Sequence, residues 1–549
     1  MTLPKLIIYQ NIPAHQMIAL GIEGTAHTIS CGIVDDNRIL GNASSTYENP
    51  NGGIHPREAA IHHADNVSKV IRLALEKSKV RMDEIDLVAF SRGPGLGPCL
   101  RIAATAARTI AIRYGKPLVG VNHPLGHVEI GRKITGARDP MMLYVSGGNT
   151  QIIAHVNGRY RVLGETMDIG LGNMLDKLAR DMGYPFPGGP AIEGLAREGK
   201  RLLDLPYSVK GMDTSFSGMY TSAKRYLQDG KSPEDISFSV QETAFSMLVE
   251  VLERGFYQTE KDEILLAGGV ARNERLRGMI SSLSEEIGAT PYLTASEYCM
   301  DNGAMIAQAG LLMYRSGFKT NIETSTIDQR FRIDEVEVPW IAGSVKGFRR
   351  DMGAESRIER GIYHGRQAIF KQRIPKAYRD QGFDEKIRFQ RLKNEASLIL
   401  HMKDAGIGVP LIYDIIPEEY LIIYEFIKGN LFREHLFSNI KTEEVIDSIG
   451  LMAGKMHAAG ITHGDLAAGN IIISSENKIY FIDPSLGKID SRPDDKAADL
   501  YLFKESLRVY RTDADDLFGI FLKGYSDTAG NINEVLESLG DIEKRRRYV

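Results

Sequence analysis

The chain has 549 residues, a formal net charge of −4 and the apolar and charged shares of an ordinary water-exposed protein. That length needs two or three hydrophobic cores, and that charge excludes a generic polyanion binder, so any nucleic-acid contact must come from a local basic patch. Cys31, Cys99 and Cys299 form no CxxC pair, which argues against a zinc knuckle or a disulfide framework and for a reducing, cytoplasmic compartment.

Residues 1–16 carry Pro4 and Pro13 and lack the apolar core of a secretory signal, so they read as an N-terminal extension. No apolar run approaches the roughly 18 residues of a membrane helix, and no membrane partner is expected. From Met17 the chain alternates short apolar runs ("MIALGIEGT", "TISCGIV", "LVAFSRG", "MMLYVSGGNTQIIAHV", "EILLAGGV") with helical stretches such as "HHADNVSKVIRLALEKSKV" and "SFSVQETAFSMLVEVLERGFYQ". Strand–helix alternation predicts an α/β layer fold over residues 17–340. The character changes after Trp340. Lys346 to Asp404 holds 15 Lys/Arg against 8 Asp/Glu, and a second domain is placed at 341–549.

Three glycine turns stand out in the first domain: "GIEGTAHT", "YVSGGNTQ" and "AGGVARNERL". Such turns leave backbone N–H groups free for a phosphate or ribose, and the third also opens a helix, whose first N–H groups favour anions. Together they resemble the two phosphate loops and the adenosine loop of the actin, hexokinase and Hsp70 superfamily, whose fold is two related α/β lobes. Glu23 is a departure, since many members carry Asp there. Asp176 lies in a helical pattern before "PFPGGP", where it suits either a ribose hydroxyl or an i,i+4 pair with Arg180.

In "HPLGH", a helix starting near Pro124 puts His123 and His127 one turn apart on one face, able to share a metal ion. A zinc-protease helix needs Glu beside the first histidine as base for the metal-bound water. Here that position is Pro124, and Glu129 falls outside the motif. Asp301 in "CMDNGAMIA" is a third candidate ligand, its structural alternative being a helix N-cap.

With "SRGPGLGPCLR", "DIGLGNMLDKLAR" and "GGPAIE", these motifs closely resemble the archaeal/eukaryotic threonylcarbamoyltransferase of the KEOPS complex, over about Met17–Trp340. The resemblance implies transfer of threonylcarbamoyl from its AMP adduct to the N6 amine of the adenosine 3′ to the anticodon, in tRNAs reading A-starting codons. It implies Fe2+ or Zn2+ on His123, His127 and Asp301 with Tyr144 beside it; Tyr144, Val145, Ser146, Gly147 and Gly148 along the adduct; and Asp176, Gly189, Glu193 and Asn273 on its nucleoside part.

The second domain carries a kinase set. Asp465 and Asn470 are five apart in "ITHGDLAAGNIII", and Asp483 follows in "IYFIDPSLG": an Asp near the acceptor, then Asn and Asp for Mg2+. Lys371 in "AIFKQR" suits the ATP phosphates, with Glu395 in "RLKNEASLIL" as its ion-pair partner. The glycine-rich loop shrinks to "GAES", so the nucleotide-covering stretch is taken as Met352, Gly353, Ala354, Glu355, Ser356, Arg357, Ile358, Glu359 and Arg360. No APE segment follows. This half, with "DDKAADLYLFKESL", resembles the small RIO-like kinase of the same complex, a bilobal α+β fold. ATP hydrolysis coupled to the tRNA cycle and Ser/Thr phosphorylation both stay open. The whole reads as a fusion of the two enzymes. The resemblance implies tRNA and KEOPS-like accessory subunits as partners, one dimerising the transferase and one regulating the kinase. The basic start of the second domain and the terminal "KRRRY" are candidate tRNA contacts. A protein kinase with a nucleotide-sensing module, and a metalloprotease, are the rival classes.

Overall fold

The computed structural model describes residues 16–48, 54–259, 261–341, 356–437 and 442–548, with side chains through residue 543. Residues 1–15 of the extension, Met352, Gly353, Ala354, Glu355 and the "KRRRY" side chains lie outside the described residues.

In chain order the first unit holds β1 (Ile18–Glu23), β2 (Thr28–Asp35), β3 (Ile39–Thr46), α1 (Pro56–Ser78), β4 (Leu87–Gly93), α2 (Gly97–Tyr114), β5 (Leu118–Asn122) and the start of α3 (His123–Thr135). β1 pairs antiparallel with β2 and parallel with β4, giving a sheet ordered β3-β2-β1-β4-β5. Its interior strands are buried on both faces, as the near-continuous apolar runs require.

The next stretch belongs to the second unit. It holds β6 (Met141–Val145), β7 (Thr150–Val156), β8 (Arg159–Glu165), α4 (Leu171–Asp181), α5 (Gly189–Glu198), the short β9 (Val209–Lys210) and β10 (Asp213–Thr214), α6 (Ser217–Gln228), α7 (Pro233–Thr259), β11 (Glu263–Ala267), α8 (Glu274–Ile287), β12 (Thr290–Leu293) and α9 (Ser296–Cys299). Its sheet, read β8-β7-β6-β11-β12, repeats the order and pairing senses of the first. Two α/β sheets of one plan meet the expectation of related lobes.

The chain returns to the first unit at Asp301, with α10 (Gly303–Arg315). This helix lies against β1 and β2 with no side chain between. A Cβ on Gly32 would sit 2.0 Å from the Ala304 nitrogen, and one on Gly303 2.1 Å from the Gly32 nitrogen. The Gly303 N–H donates to Ser30 Oγ at 2.9 Å and the Ala304 N–H to Asn42 Oδ1 at 3.2 Å. The start of α10 is thus pinned to the sheet by both shape and hydrogen bonds.

From Arg332 the chain is again in the second unit. An antiparallel sheet, ordered β13-β14-β16-β15, is built from β13 (Ser356–Tyr363), β14 (Arg366–Arg373), β15 (Ile412–Ile416) and β16 (Leu421–Glu425), with α11 (Gln381–Asp404) between the second and third in sequence. A smaller sheet, β17 (Gly429–Leu431), β18 (Ile471–Ser474) and β19 (Ile479–Phe481), accompanies a mostly helical remainder: α12 (Phe432–His435), α13 (Thr442–Ala458), α14 (Pro493–Tyr510), α15 (Ala514–Thr528) and α16 (Asn533–Tyr548). This is the plan of a small bilobal kinase.

Within that unit α7 carries buried acids that meet cations from the second domain. Glu250 accepts from Arg379 at 2.6 Å and Arg391 at 2.7 Å, and Glu253 from Lys376 at 2.7 Å. The basic start of the second domain is therefore partly consumed inside the chain. Lys376, Arg379 and Arg391 are buried against carboxylates of the first domain.

Gly303→Ala forces backbone against backbone and should cost about 3 kcal/mol. Gly278→Ala, with open space at its Cβ in α8, should be neutral or stabilise by up to about 1 kcal/mol. Urea unfolding of both variants checks the contrast.

Candidate active sites

The first site is assembled from three places in the first unit. Asn122 closes β5, and its Oδ1 accepts the Leu125 N–H at 3.1 Å, so α3 begins at His123 with Pro124 in its first turn. His123 and His127 then share a face, with ring centroids 4.8 Å apart. Asn302, not Asp301, caps α10 by accepting the Met305 N–H at 3.0 Å. The cap alternative for Asp301 therefore goes to its neighbour, and the Asp301 carboxylate turns to the histidines instead. Its Oδ1 lies 3.4 Å from His123 Nε2 and 3.2 Å from His127 Nε2.

The ligand atoms of His123, His127 and Asp301 all lie within 4.8 Å of one another. Two buried imidazole nitrogens converging on one carboxylate oxygen are a donor set suited to Fe2+ or Zn2+. Glu23, at the end of β1, adds what a metal-bound imidazole needs behind it: Oε2 stands 3.2 Å from His123 Nδ1. The departure noted in the sequence thus has a use, since the longer side chain reaches the ring. Glu23 is fully buried, and its Oε1 also accepts the Thr25 N–H at 2.7 Å.

Burial works against charge on His123, yet the Glu23 and Asp301 carboxylates outweigh it and push its pKa up to about 9. Burial holds His127 below the usual imidazole value. Despite burial, the two histidines hold the Asp301 carboxyl well below the carboxylate range.

Of the three glycine turns, "GIEGTAHT" lies in the first unit, while "YVSGGNTQ" and "AGGVARNERL" lie in the second. Tyr144 and Val145 end β6, fully buried. Ser146, Gly147 and Gly148 make the turn to β7, where the Ser146 N–H donates to the Asn149 carbonyl at 2.7 Å. Gly268 has φ +99°, and a Cβ there would meet the Val145 carbonyl oxygen at 2.2 Å, so the third turn is pressed onto β6. Asp176 accepts the Gly188 N–H at 2.7 Å, and Glu193 accepts the Glu274 N–H at 3.0 Å. These bonds tie α4, the start of α5 and the start of α8 together. α5 begins at Gly189, within "PFPGGP", because Pro190 suits a first helical turn. Asn273 caps α8 by accepting the Arg275 N–H at 2.9 Å and donates to Gln241 at 2.9 Å. Gly148, Gly189 and Gly269 have open space at the Cβ position.

The kinase-type site surrounds a cavity of about 610 Å³ that Lys371, Glu395, Asp465, Asn470 and Asp483 line together. Lys371 Nζ is 2.6 Å from Glu395 Oε1 and 2.8 Å from Asp483 Oδ1. Asn470 Nδ2 donates to Asp465 Oδ2 at 2.9 Å. Burial raises the Asp465 pKa above the usual carboxylate value, against the pull of Arg254, His463 and Asn470. Strand alternation on β13 sends Ser356, Ile358 and Arg360 into the cavity wall. Arg357 and Glu359 are exposed and pair with each other at 2.6 Å.

Sequence reasoning missed two groups here. Asp499, in the quoted "DDKAADLYLFKESL", accepts the His463 N–H at 2.6 Å and the Gly464 N–H at 2.8 Å, and so fixes the loop that carries Asp465. Arg254, Tyr257 and Gln258 of α7 line the same cavity. Nothing in their spacing signals it, because their surroundings come from a different half of the chain.

A family profile for tRNA N6-adenosine threonylcarbamoyltransferase matches residues 38–308, and one for the RIO domain matches 362–491. A protein of Thermoplasma acidophilum named "Probable bifunctional tRNA threonylcarbamoyladenosine biosynthesis protein" is 54% identical over 533 residues, covering 97% of this chain and 100% of that protein. Proteins of the same name from Thermoplasma volcanium and Methanothermobacter thermautotrophicus are 55% and 46% identical, each over 97% of this chain and 100% of their own length. The chain belongs to the family of bifunctional tRNA threonylcarbamoyladenosine biosynthesis proteins. Its first half is the transferase and its second a RIO-type kinase domain, so the protease rival and the kinase with a merely sensing module fall away. Among the described residues no helix is long and apolar enough to cross a membrane, and the three cysteines are free and buried.

Two expectations concern the transferase site. A metal ion binds neutral imidazole, and His123 below about pH 9 carries a proton that must leave. Metal affinity should therefore rise with pH up to about 9 and uptake at pH 7 should release a proton, both readable by calorimetry in buffers of different ionisation enthalpy. Glu23→Gln removes the carboxylate behind His123 and should weaken metal binding about 10- to 100-fold, measured as metal retained against a chelator, with the unfolding midpoint little changed.

Proposed function

We propose that the transferase half moves the threonylcarbamoyl group of threonylcarbamoyl-AMP to the N6 amine of the adenosine 3′ to the anticodon, in tRNAs reading A-starting codons. The observation that carries this reading is the convergence of His123, His127 and Asp301 from segments 174 residues apart, with a carboxylate behind His123, in a chain of this family.

The exocyclic amine is a weak nucleophile, while the mixed anhydride already has a good leaving group. The task is therefore orientation and stabilisation of charge on the carbonyl oxygen. His123, His127 and Asp301 hold the cation, Fe2+ or Zn2+, which supplies Lewis acidity and a fixed template when bound. Glu23 keeps the His123 ring in place. Tyr144 is assigned beside the cation on the family resemblance. The open space at Gly148 and Gly269 suits the adduct's phosphate, since no side chain there keeps it from the backbone N–H groups. Asp176 and Glu193 orient the loops around its nucleoside through their bonds to Gly188 and Glu274. The amine nitrogen bonds to the carbamoyl carbon as the bond from that carbon to the phosphate oxygen breaks; AMP leaves with the electron pair of that bond, and the amine proton passes to solvent.

The kinase half is read as an ATP site. Lys371 meets the phosphates and is held by Glu395; Asn470 and Asp483 hold Mg2+; Asp465 faces the acceptor. ATP turnover there serves the tRNA cycle in a KEOPS-like assembly, with a small dimerising subunit on the transferase and a small regulatory subunit on the kinase, in the cytoplasm. The domain boundary falls near residue 341, where the basic stretch begins.

The test supplies threonylcarbamoyl-AMP, unmodified tRNA and KEOPS-type accessory subunits to the purified full chain. Modified adenosine should form. His123→Ala should reduce it at least a hundredfold and leave ATP hydrolysis within about twofold, whereas Asp465→Ala should reduce ATP hydrolysis at least a hundredfold. Full modification by a normally melting His123→Ala variant contradicts the assignment.

A further inference from the structure

The kinase cavity is not built by the kinase half alone. Arg254, from the last turns of α7 in the transferase half, stands in its wall beside Asp465 and Asn470. Its side chain is only 9% exposed, and it is held from behind. One terminal nitrogen pairs with Glu250 Oε1 at 3.0 Å, one turn back on the same helix. The other donates to the Gly211 carbonyl at 3.3 Å and lies 3.9 Å from Asp465 Oδ2.

The anchor is itself clamped. Glu250 is fully buried and also takes Arg379, Arg391 and the Tyr207 hydroxyl. Arg379 and Arg391 belong to the kinase half, so the carboxylate that fixes Arg254 is the one on which the kinase half docks. A guanidinium presents five N–H donors in a rigid fork that matches phosphate oxygens. Here Glu250 and the Gly211 carbonyl each hold one of the two terminal nitrogens, which fixes the plane of the fork, and one of those nitrogens stops just short of the side chain that faces the phosphoryl acceptor.

We propose that Arg254 is a phosphate-reading arginine that the transferase half supplies in cis to the kinase half, where it meets the terminal phosphoryl group of ATP on the Asp465 side. The proposal rests on the reading of this cavity as an ATP site. In hydrolysis the water oxygen bonds to the γ-phosphorus as the bond from that phosphorus to the bridging oxygen breaks. ADP leaves with the electron pair of that bond, and the water proton passes to Asp465 and then to solvent. Negative charge is spread over the γ-phosphoryl oxygens during the transfer, and a fixed guanidinium beside them stabilises it without reorganisation.

The experiment measures ATP hydrolysis, and ATP and ADP binding, by the full chain with Mg2+. Arg254→Ala should lower the hydrolysis rate a hundredfold or more and weaken ATP binding, with ADP affinity within twofold of the parent, because the side chain meets only the phosphate that ADP lacks. Arg254→Lys keeps a charge but not the fork and should lose about tenfold; it carries the test if the alanine variant melts early. Arg391→Ala removes another partner of Glu250 without entering the cavity and should hydrolyse ATP within threefold of the parent. Unchanged or faster hydrolysis in either Arg254 variant overturns the proposal, as does an equal loss in Arg391→Ala, which would assign the effect to loosened docking. If the parent chain binds neither nucleotide, the ATP-site reading itself fails, and the proposal with it.

Discussion

The transferase site depends on one contact of backbone with backbone. At Gly32 and Gly303 two glycines face each other where any Cβ would collide, so α10 lies directly on the β1–β2 hairpin. That contact fixes the first turn of α10, and the residue just before its cap is Asp301. Because the same sheet also delivers Glu23 from the end of β1 and α3 from the end of β5, three ends of one layer surround a single point. The site stands at the edge of a rigid core rather than on mobile loops, which is how a ligand set is held to the tolerance that metal binding requires.

Helix α7 plays the corresponding part in the second unit. Most of its faces are buried, and two of its acids, Glu250 and Glu253, are matched by cations from the kinase half. Burying such charges is costly, and their mutual attraction offsets the cost only when geometry and hydrogen bonding are good. Glu250 meets that condition with several donors around one carboxylate, and Glu253 shares Lys376 with Glu286. The arrangement favours one docked partner over others more than it adds raw stability. Fusion of the halves keeps that partner at high effective concentration.

Much of this was legible in the sequence. The strand–helix alternation, the glycine turns and the five-residue spacing of Asp465 and Asn470 follow from local chemistry, and the Lys371–Glu395 pair followed from kinase logic. "HPLGH" announced a histidine face because Pro124 favours a helix start at that place. Three things were not legible. Asp301 and Asn302 are adjacent, and only the packing of α10 decides which one caps and which one turns outward. Glu250 and Glu253 of α7 look like a solvated face until Lys376, Arg379 and Arg391, more than a hundred residues later, are placed against them. Arg254 carries no motif of its own, since its role arises from where another domain docks.

The central claim is that His123, His127 and Asp301 hold one cation, and its inner coordination is the most direct thing to measure. X-ray absorption at the metal edge of the purified holoprotein should give about two imidazole nitrogens and a carboxylate oxygen, with the imidazole signal lost in a His123→Ala, His127→Ala double variant. A sulfur-containing shell, or a shell of oxygen alone in the parent chain, would contradict the account.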